Sequence, residues 1–299
     1  MFCKNCGTKV TGQEKFCPNC GTAVENTSAE TNKQSTEKIA RQQISFTMNK
    51  NIIGVAAAVV VLLVIIFAVG GTRKGKGELD TKNVLSIAEE LSSANIGDYV
   101  TFGTYEQDNN LKNGAEAIEW QVLDKKDGKV LLLSKYALDC EPYHEEYVYV
   151  TWETCTLRSW LNEEFYKTAF TNAEQKYIAE TYVINEDNPD HGTDGGNNTY
   201  DNVFLLSIDE VGTYFDSDLD AYDPARRAQV TEYAKAQGGG YDYNKESEYY
   251  GNGLWWLRSP GDFSNLAAGV IDGGLVDRLG IGVDRDNCVV RPALWVEVE

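Results

Sequence analysis

Twenty consecutive residues, Ile52 to Gly71 (IIGVAAAVVVLLVIIFAVGG), carry no charge in a chain of 299 residues with a formal net charge of −19. A run of that length matches the apolar thickness of a bilayer, and a buried helix of a globular domain is rarely apolar on every face. The sequence therefore predicts one transmembrane helix over 51–71, which divides the chain. Residues 1–50 hold 7 Lys and Arg against 4 Asp and Glu, whereas 71–299 hold 20 against 42, a net of −22. So acidic a part repels phosphates, which makes nucleic acid a poor partner. Seventeen tyrosines and six tryptophans supply material for a core and for a binding surface.

Residues 1–21 read MFCKNCGTKVTGQEKFCPNCG. Cys3, Cys6, Cys17 and Cys20 form two CxxC knuckles, each followed by Gly. Two such turns can complete a tetrahedral four-thiolate zinc site, and in so short a segment the metal would supply the folding energy. Disulfides or redox CxxC motifs are the alternative. Residues 1–24 resemble the short zinc ribbons that open many bacterial membrane proteins, which implies structural Zn²⁺ and leaves room for a cytosolic partner. Residues 25–50, rich in Ser, Thr, Glu, Lys and Gln, read as a flexible linker. Residues 72–93 read as a juxtamembrane stalk with a short amphipathic helix. Basic residues flank the apolar run equally, with Lys38, Arg41 and Lys50 before it and Arg73, Lys74 and Lys76 after it. Reduced thiolates belong in the cytosol, so the N-terminus is expected inside and the acidic domain outside the cell.

The remainder, 94–299, reads as one α+β domain. YVTFGTY, IEWQVLD and KVLLLSKY are strand-like runs separated by polar turns such as KKDGK. In TWETCTLRSWLNEEFYKTAF, helical spacing places Leu157, Trp160, Leu161 and Phe165 on one face. Thr171 with Glu174 and Ser207 with Glu210 are capping-box pairs. WWLRS, AAGVI and VVRPALWVEV follow as strands, and the last is expected to return beside the early ones. IGDYVTFGTYEQD, IEWQVL, VTWETCTLRSWLNEEFYKTAF, NVFLLSIDEV and WWLRSPG…VRPALWV together resemble a bacterial domain family of unknown function. That family is similar to C-type-lectin-like folds and, more distantly, to formylglycine-generating-enzyme-like domains. The resemblance implies a C-type-lectin-like extracellular domain, with Trp255, Trp256, Arg258, Arg291 and Trp295 as scaffold.

Between those framework strands lies DFSNLAAGVIDGGLVDRLGIGVDRDNC, residues 262–288. It contains no Glu, Lys, Gln, Met or Trp, although ordinary usage would place about five of them there. Lectin-fold relatives include targets of diversity-generating retroelements, which mutate AAC and AAT codons. A codon ending in C or T encodes none of those five types. On that resemblance the ligand surface comprises Asp262, Phe263, Asn265, Leu266, Ile271, Asp272, Leu275, Asp277, Arg278, Leu279, Ile281, Asp284, Arg285, Asp286 and Asn287. Gly269, Gly274 and Cys288 are further candidate variable positions. A Gly- and Asp-rich hairpin without diversification is the plainer alternative.

Catalytic signals are sparse. The chain has two histidines, His144 and His191, and lacks GxSxG, GxxxxGK[ST] and GxGxxG. Cys155 with His144 could form a thiol and base, but a buried or disulfide-bonded Cys155 is the better expectation. Cys140 and Cys155 are candidates for a disulfide. In NEDNPDHGTDGGNNTYDN, Asp190, Asp194, Asn198 and Asp201 partly imitate a calcium loop, with Gly192 where a ligand belongs. An Asn/Asp/Gly turn cluster without metal is the alternative. The expected function is therefore recognition of an extracellular protein or glycan by a membrane-anchored surface protein. The alternatives are an enzyme or enzyme accessory of formylglycine-generating-like fold, and a signalling or assembly protein acting through its zinc ribbon.

Overall fold

The structure, a computed structural model, describes residues 88–298. Its first sheet begins with β1 (Tyr99–Tyr105), β2 (Glu116–Lys126) and β3 (Lys129–Ser134), each antiparallel to the next. Between β2 and β3 stand Asp127 at φ 51° and Gly128 at φ 72°. Two successive left-handed residues make the tight turn whose twist matches that of paired strands. In β1, Gly103 has φ 71° and lies where the register with β2 shifts. A Cβ there would stand 2.6 Å from the Phe170 ring, so glycine lets this bulge close on the segment behind it. β11 (Ala293–Glu297) completes the sheet in the order β1-β2-β3-β11, returning beside an early strand as expected.

The second sheet is built from β4 (Asp139–Cys140), β7 (Trp255–Pro260), β8 (Leu266–Val270), β9 (Val276–Gly282) and β10 (Val289–Val290), in the order β4-β10-β7-β8-β9. β10 and β7 are parallel and the other neighbours antiparallel. β5 (Thr181–Val183) and β6 (Thr199–Asp201) form a separate two-stranded piece. β10 runs into β11 through Arg291 and Pro292, so the chain steps between the large sheets there. Arg291 is buried, donates from Nε to Ser134 O at 2.8 Å and from Nη1 to Arg226 O at 3.0 Å, and lies 5.0 Å from the Trp255 ring centroid. Burial pulls its pKa down to about 10. Trp255, Trp256 and Arg258 are also buried, while Trp295 is half-buried. One apolar core joins both sheets, with Trp120, Leu132 and Leu294 from the first and Trp256 and Val270 from the second.

The helices are short. Thr156–Trp160, Leu161–Phe165 and Tyr166–Ala169 follow one another, with a wider π-type turn in the middle. Leu157, Leu161 and Phe165 are buried in this run and Trp160 is half-buried against the core. The Ser207–Glu210 capping box is formed at the start of helix Ile208–Tyr214. Thr171 and Glu174 also exchange cap hydrogen bonds, at a single turn, Glu174–Lys176.

The single-pass membrane architecture and surface location expected from the sequence are corrected here. Among the described residues no helix is long and apolar enough to cross a membrane. Their longest continuous helical run, 156–169, consists of segments of five, five and four residues and carries Arg158, Glu163, Glu164 and Lys167. A bilayer core needs about 20 apolar residues. The segment 51–71 lies outside the described residues, as do the ribbon 1–24, the linker 25–50 and the stalk except its helical end, 88–93.

Candidate functional site

A groove of about 1030 Å³ opens between a tyrosine-rich loop and the turns that flank β8 and β9. The loop is closed at its base: Asp242 N donates to Asn252 O at 2.9 Å and Gly251 N donates to Asp242 O at 2.7 Å. Within it, Asn244 N donates to Asp242 Oδ1 and Glu246 N to Asn244 Oδ1, successive Asx turns that fix the backbone. Tyr241, Tyr243, Asn244 and Lys245 form this wall. Tyr243 is 82 % exposed and Tyr241 39 %. The Lys235 ammonium lies 4.6 Å from the Tyr241 ring centroid.

The facing wall comes from the C-terminal segment. Ile271 and Asp272 lead out of β8 into a turn closed by Gly274 N donating to Ile271 O at 2.8 Å. Gly274 has φ 89°, and a Cβ on it would stand 2.0 Å from Asp223 O. Ile281 belongs to β9, and Arg285 and Asn287 to the turn that follows. Asn287 O accepts from Gly240 N at 2.8 Å, which ties the two walls together. A stack braces the same junction: Tyr222 and Tyr249 lie 6.1 Å apart and nearly parallel, and Arg227 sits 4.7 Å from the Tyr249 centroid while its Nε donates to Gly273 O. Two carboxylates, Asp242 and Asp272, and two cations, Lys245 and Arg285, line the groove. Cys288 lies at its floor, buried, with its thiol pushed up to about 12 by burial.

Five of the residues expected at a ligand surface, Ile271, Asp272, Ile281, Arg285 and Asn287, thus share one groove. The others lie elsewhere. Arg278 is engaged by Asp190 at 2.9 Å and by Asp220, and Asp277 Oδ1 accepts from Leu279 N and Gly280 N. Asp262 O accepts from Thr193 Oγ1, and its carboxylate lies 3.4 Å from His191 Nδ1. Phe263 and Leu279 are exposed on a separate patch, where Asp262 N donates to Leu279 O. Asn265, Leu266 and Leu275 are half-buried, and Asp284 and Asp286 are exposed. Every one of the expected ligand positions is at least partly exposed; of the framework positions between them Ala267, Ala268, Val270, Gly273, Val276 and Val283 are buried, while Ser264, Gly280 and Gly282 are half-buried. Gly269, Gly274 and Cys288 are buried too, and a Cβ on Gly269 would stand 3.0 Å from Trp255 O, so free variation at these three is excluded. The sequence reading assigned no role to the loop wall, although the signal was present in YDYNKESEYY.

The calcium loop does not assemble. Asp201 is buried and accepts from Trp152 Nε1 at 2.9 Å, Arg158 Nε at 2.6 Å and Thr199 Oγ1 at 2.7 Å. Asp190 pairs with Arg278, Asp194 Oδ1 accepts from Gly196 N, and Asn198 Oδ1 accepts from Asn185 N. Among the described residues the one group of three acids with ligand atoms near one another is Glu106, Asp108 and Glu116. Those carboxylates accept the hydrogen bonds of their own loop, from Gln107 N, Asp108 N, Asn110 N and Asn113 Nδ2.

The disulfide between Cys140 and Cys155 is likewise corrected, since both are free and buried. Cys155 Sγ donates to Trp152 O and accepts from Arg158 N, capping a helix, while the Cys140 thiol donates to Asp286 O at 3.2 Å. Burial pushes Cys155 up to about 12, so it is a poor nucleophile. His144 Nδ1 accepts from Thr156 N at 3.3 Å. A second titratable cluster surrounds buried Asp139, whose Oδ2 accepts from Tyr105 OH and Oδ1 from Cys140 N. Burial, then Asp139, Glu164 and Glu145, push Glu141 up to about 7.

A family model for a zinc-ribbon domain matches residues 2–24, a span containing all four N-terminal cysteines, and two CxxC pairs are a fitting donor set for zinc. A second, described as "Domain of unknown function (DUF6273)", matches residues 127–298. No curated protein and no solved structure matches the chain. In place of the C-type-lectin-like fold expected from the sequence, the domain has two large sheets, ordered β1-β2-β3-β11 and β4-β10-β7-β8-β9, and the β5-β6 pair. With more than half of its length matched, from the β2–β3 turn to the end of β11, the chain belongs to the DUF6273 family and carries a zinc-ribbon domain at its N-terminus.

Proposed function

We propose that this chain is a ligand-recognition protein whose binding site is the groove between the tyrosine-rich loop and the β8–β9 turns. The observation that carries the reading is the convergence of Ile271, Asp272, Ile281, Arg285 and Asn287 on one open groove facing Tyr241 and Tyr243. The lining mixes apolar side chains with convergent polar ones, the two kinds of group from which a ligand site is built. The groove offers no activated nucleophile, because its thiol, Cys288, is held protonated by burial. The partial exposure of all fifteen expected ligand positions in 262–288 also supports a diversified surface on a fixed frame. A near-identical repeat with adenines at these codons, beside a reverse transcriptase gene, is the expected genomic mark; its absence removes diversification and leaves the groove. Cys3, Cys6, Cys17 and Cys20 hold the structural zinc, and the ribbon offers a surface for a partner.

The test of recognition is thermal melting of the full chain against a mixed panel of oligosaccharides, peptides and polyamines. At least one probe should raise the melting temperature saturably, and the Asp272→Ala/Arg285→Ala variant should lose that shift. A panel without any shift, or a shift unchanged in the variant, would falsify the reading.

A further inference from the structure

We infer that the groove takes a neutral, polyhydroxylated chain, an oligosaccharide of several pyranose units; this rests on the recognition reading above. Four features of the groove carry it.

The first is charge. Asp242 and Asp272 balance Lys245 and Arg285, so the groove has no formal net charge. It belongs to a part of the chain that bears −22, counting 20 basic against 42 acidic residues over 71–299. An anionic ligand would meet that long-range repulsion, whereas a cationic one would be drawn by the same field but meet a site where Lys245 and Arg285 offset the two carboxylates.

The second is the mixture of hydrogen-bonding groups. Carboxylates only accept, Lys245 and Arg285 only donate, and the amides of Asn244 and Asn287 do both. A sugar hydroxyl donates and accepts at once, so a row of them needs both kinds of partner within reach. Planar carboxylate, amide and guanidinium groups each span two adjacent hydroxyls.

The third is the pairing of aromatic and aliphatic surface. Tyr243 is 82 % exposed on a loop wall, with Ile271 and Ile281 opposite. A tyrosine ring left this open loses nothing by being covered, and its flat apolar body matches the C–H face of a pyranose.

The fourth is shape and stiffness. At about 1030 Å³ the groove stands at the upper end of small-molecule sites, which run to roughly 1,000 Å³, and suits an oligomer better than one hexose. Its loop wall is already closed by the Asp242–Asn252 and Gly251–Asp242 hydrogen bonds, so little ordering is left to do on binding. An extended peptide would dock by main-chain pairing along a free strand edge, and of this lining only Ile281 belongs to one, β9, the rest being loop and turn.

The deciding experiment is titration calorimetry on the full chain. The neutral probes are cellohexaose, maltohexaose, xylohexaose and chitohexaose; the charged ones are hexagalacturonate and hexalysine. At least one neutral probe should bind, with an affinity that changes less than about twofold from low to high salt. Tyr243→Ala should weaken it roughly tenfold or more, while Tyr243→Phe, which keeps the ring, stays within about twofold. Asp272→Asn, which keeps the Oδ1 acceptor that Gly273 N uses, should also weaken it. Unchanged melting of each variant shows that the fold is intact. Binding of charged probes alone, or sugar binding indifferent to Tyr243→Ala and Asp272→Asn, overturns the saccharide assignment and leaves recognition standing. If no probe binds here and none shifts the melting temperature in the wider panel, both fall.

Discussion

Two acids in this domain, one buried and one half-buried, meet opposite circumstances. Asp201 receives three donors, from Trp152, Arg158 and Thr199. Glu141 is half-buried among other acids, and burial followed by Asp139, Glu164 and Glu145 pushes it from 4.5 to about 7. Asp139 is raised in the same direction, chiefly by burial. A carboxyl raised in the folded state holds its proton more tightly there than in the unfolded chain. Below about pH 4.5 both states are protonated and Glu141 costs the fold nothing. Between about 4.5 and 7 the unfolded chain ionises first, so stability falls as pH rises, and above about 7 the full penalty remains. Glu141 keeps much of its contact with water, so the penalty is roughly 1 kcal/mol. Glu141→Gln should therefore stabilise the protein at about pH 8 and change little at about pH 5. Melting curves of both proteins at the two pH values check this; an equal offset at both would show that Glu141 does not titrate with folding.

Between elements, one polar tie is centred on Arg258. From β7 it donates to Leu205 O at 2.7 Å, to Ile184 O at 3.0 Å and to both oxygens of Glu210, which also caps helix Ile208–Tyr214. Arg258 is buried but Glu210 keeps some contact with water, so Arg258→Ala should cost less than the loss of about 3–5 kcal/mol typical of a fully buried pair. The Arg258→Ala/Glu210→Gln double variant should cost less than the two single changes summed, since the second loss finds the pair already broken. Denaturant unfolding measures all three; strict additivity would mean that the pair does not couple strand to helix. The helix cap was legible in the sequence because Ser207 and Glu210 stand three residues apart. So were the Asp127–Gly128 turn and the apolar face of 156–169, all of them local patterns. β10 was not separable from β11, since a two-residue strand parallel to β7 has no period of its own. Spacing also suggested a calcium loop, because spacing is blind to partners from distant elements: Trp152 and Arg158 had already taken Asp201. Half of the groove was visible as a compositional gap in 262–288. The other half, 241–245, is joined to it only by tertiary contacts such as Gly240 N to Asn287 O.

Across the whole molecule, two parts hold themselves together by different means. Residues 88–298 share an apolar core spanning both large sheets, and their three cysteines are buried thiols. The zinc-ribbon match, residues 2–24, contains Val10 as its sole branched aliphatic residue before Val24, with Phe2 and Phe16 as its aromatics. So short a segment cannot build a core that outweighs its chain entropy, and metal–thiolate bonds must supply the difference. Chelation should therefore release about one zinc per chain and unfold the ribbon while leaving the melting of the C-terminal domain unchanged. Cys3→Ser should lose the zinc with the same indifference in the domain. Metal analysis after gel filtration, paired with near-ultraviolet circular dichroism of the tryptophans, separates the two responses, because all six tryptophans lie between Trp120 and Trp295. A domain melting temperature that falls on chelation would show that the ribbon and the domain are energetically one unit. Full zinc occupancy in Cys3→Ser would remove Cys3 from the site. Either result would change where a partner of the ribbon could act: a coupled ribbon could report on the groove, whereas an independent one can only tether it.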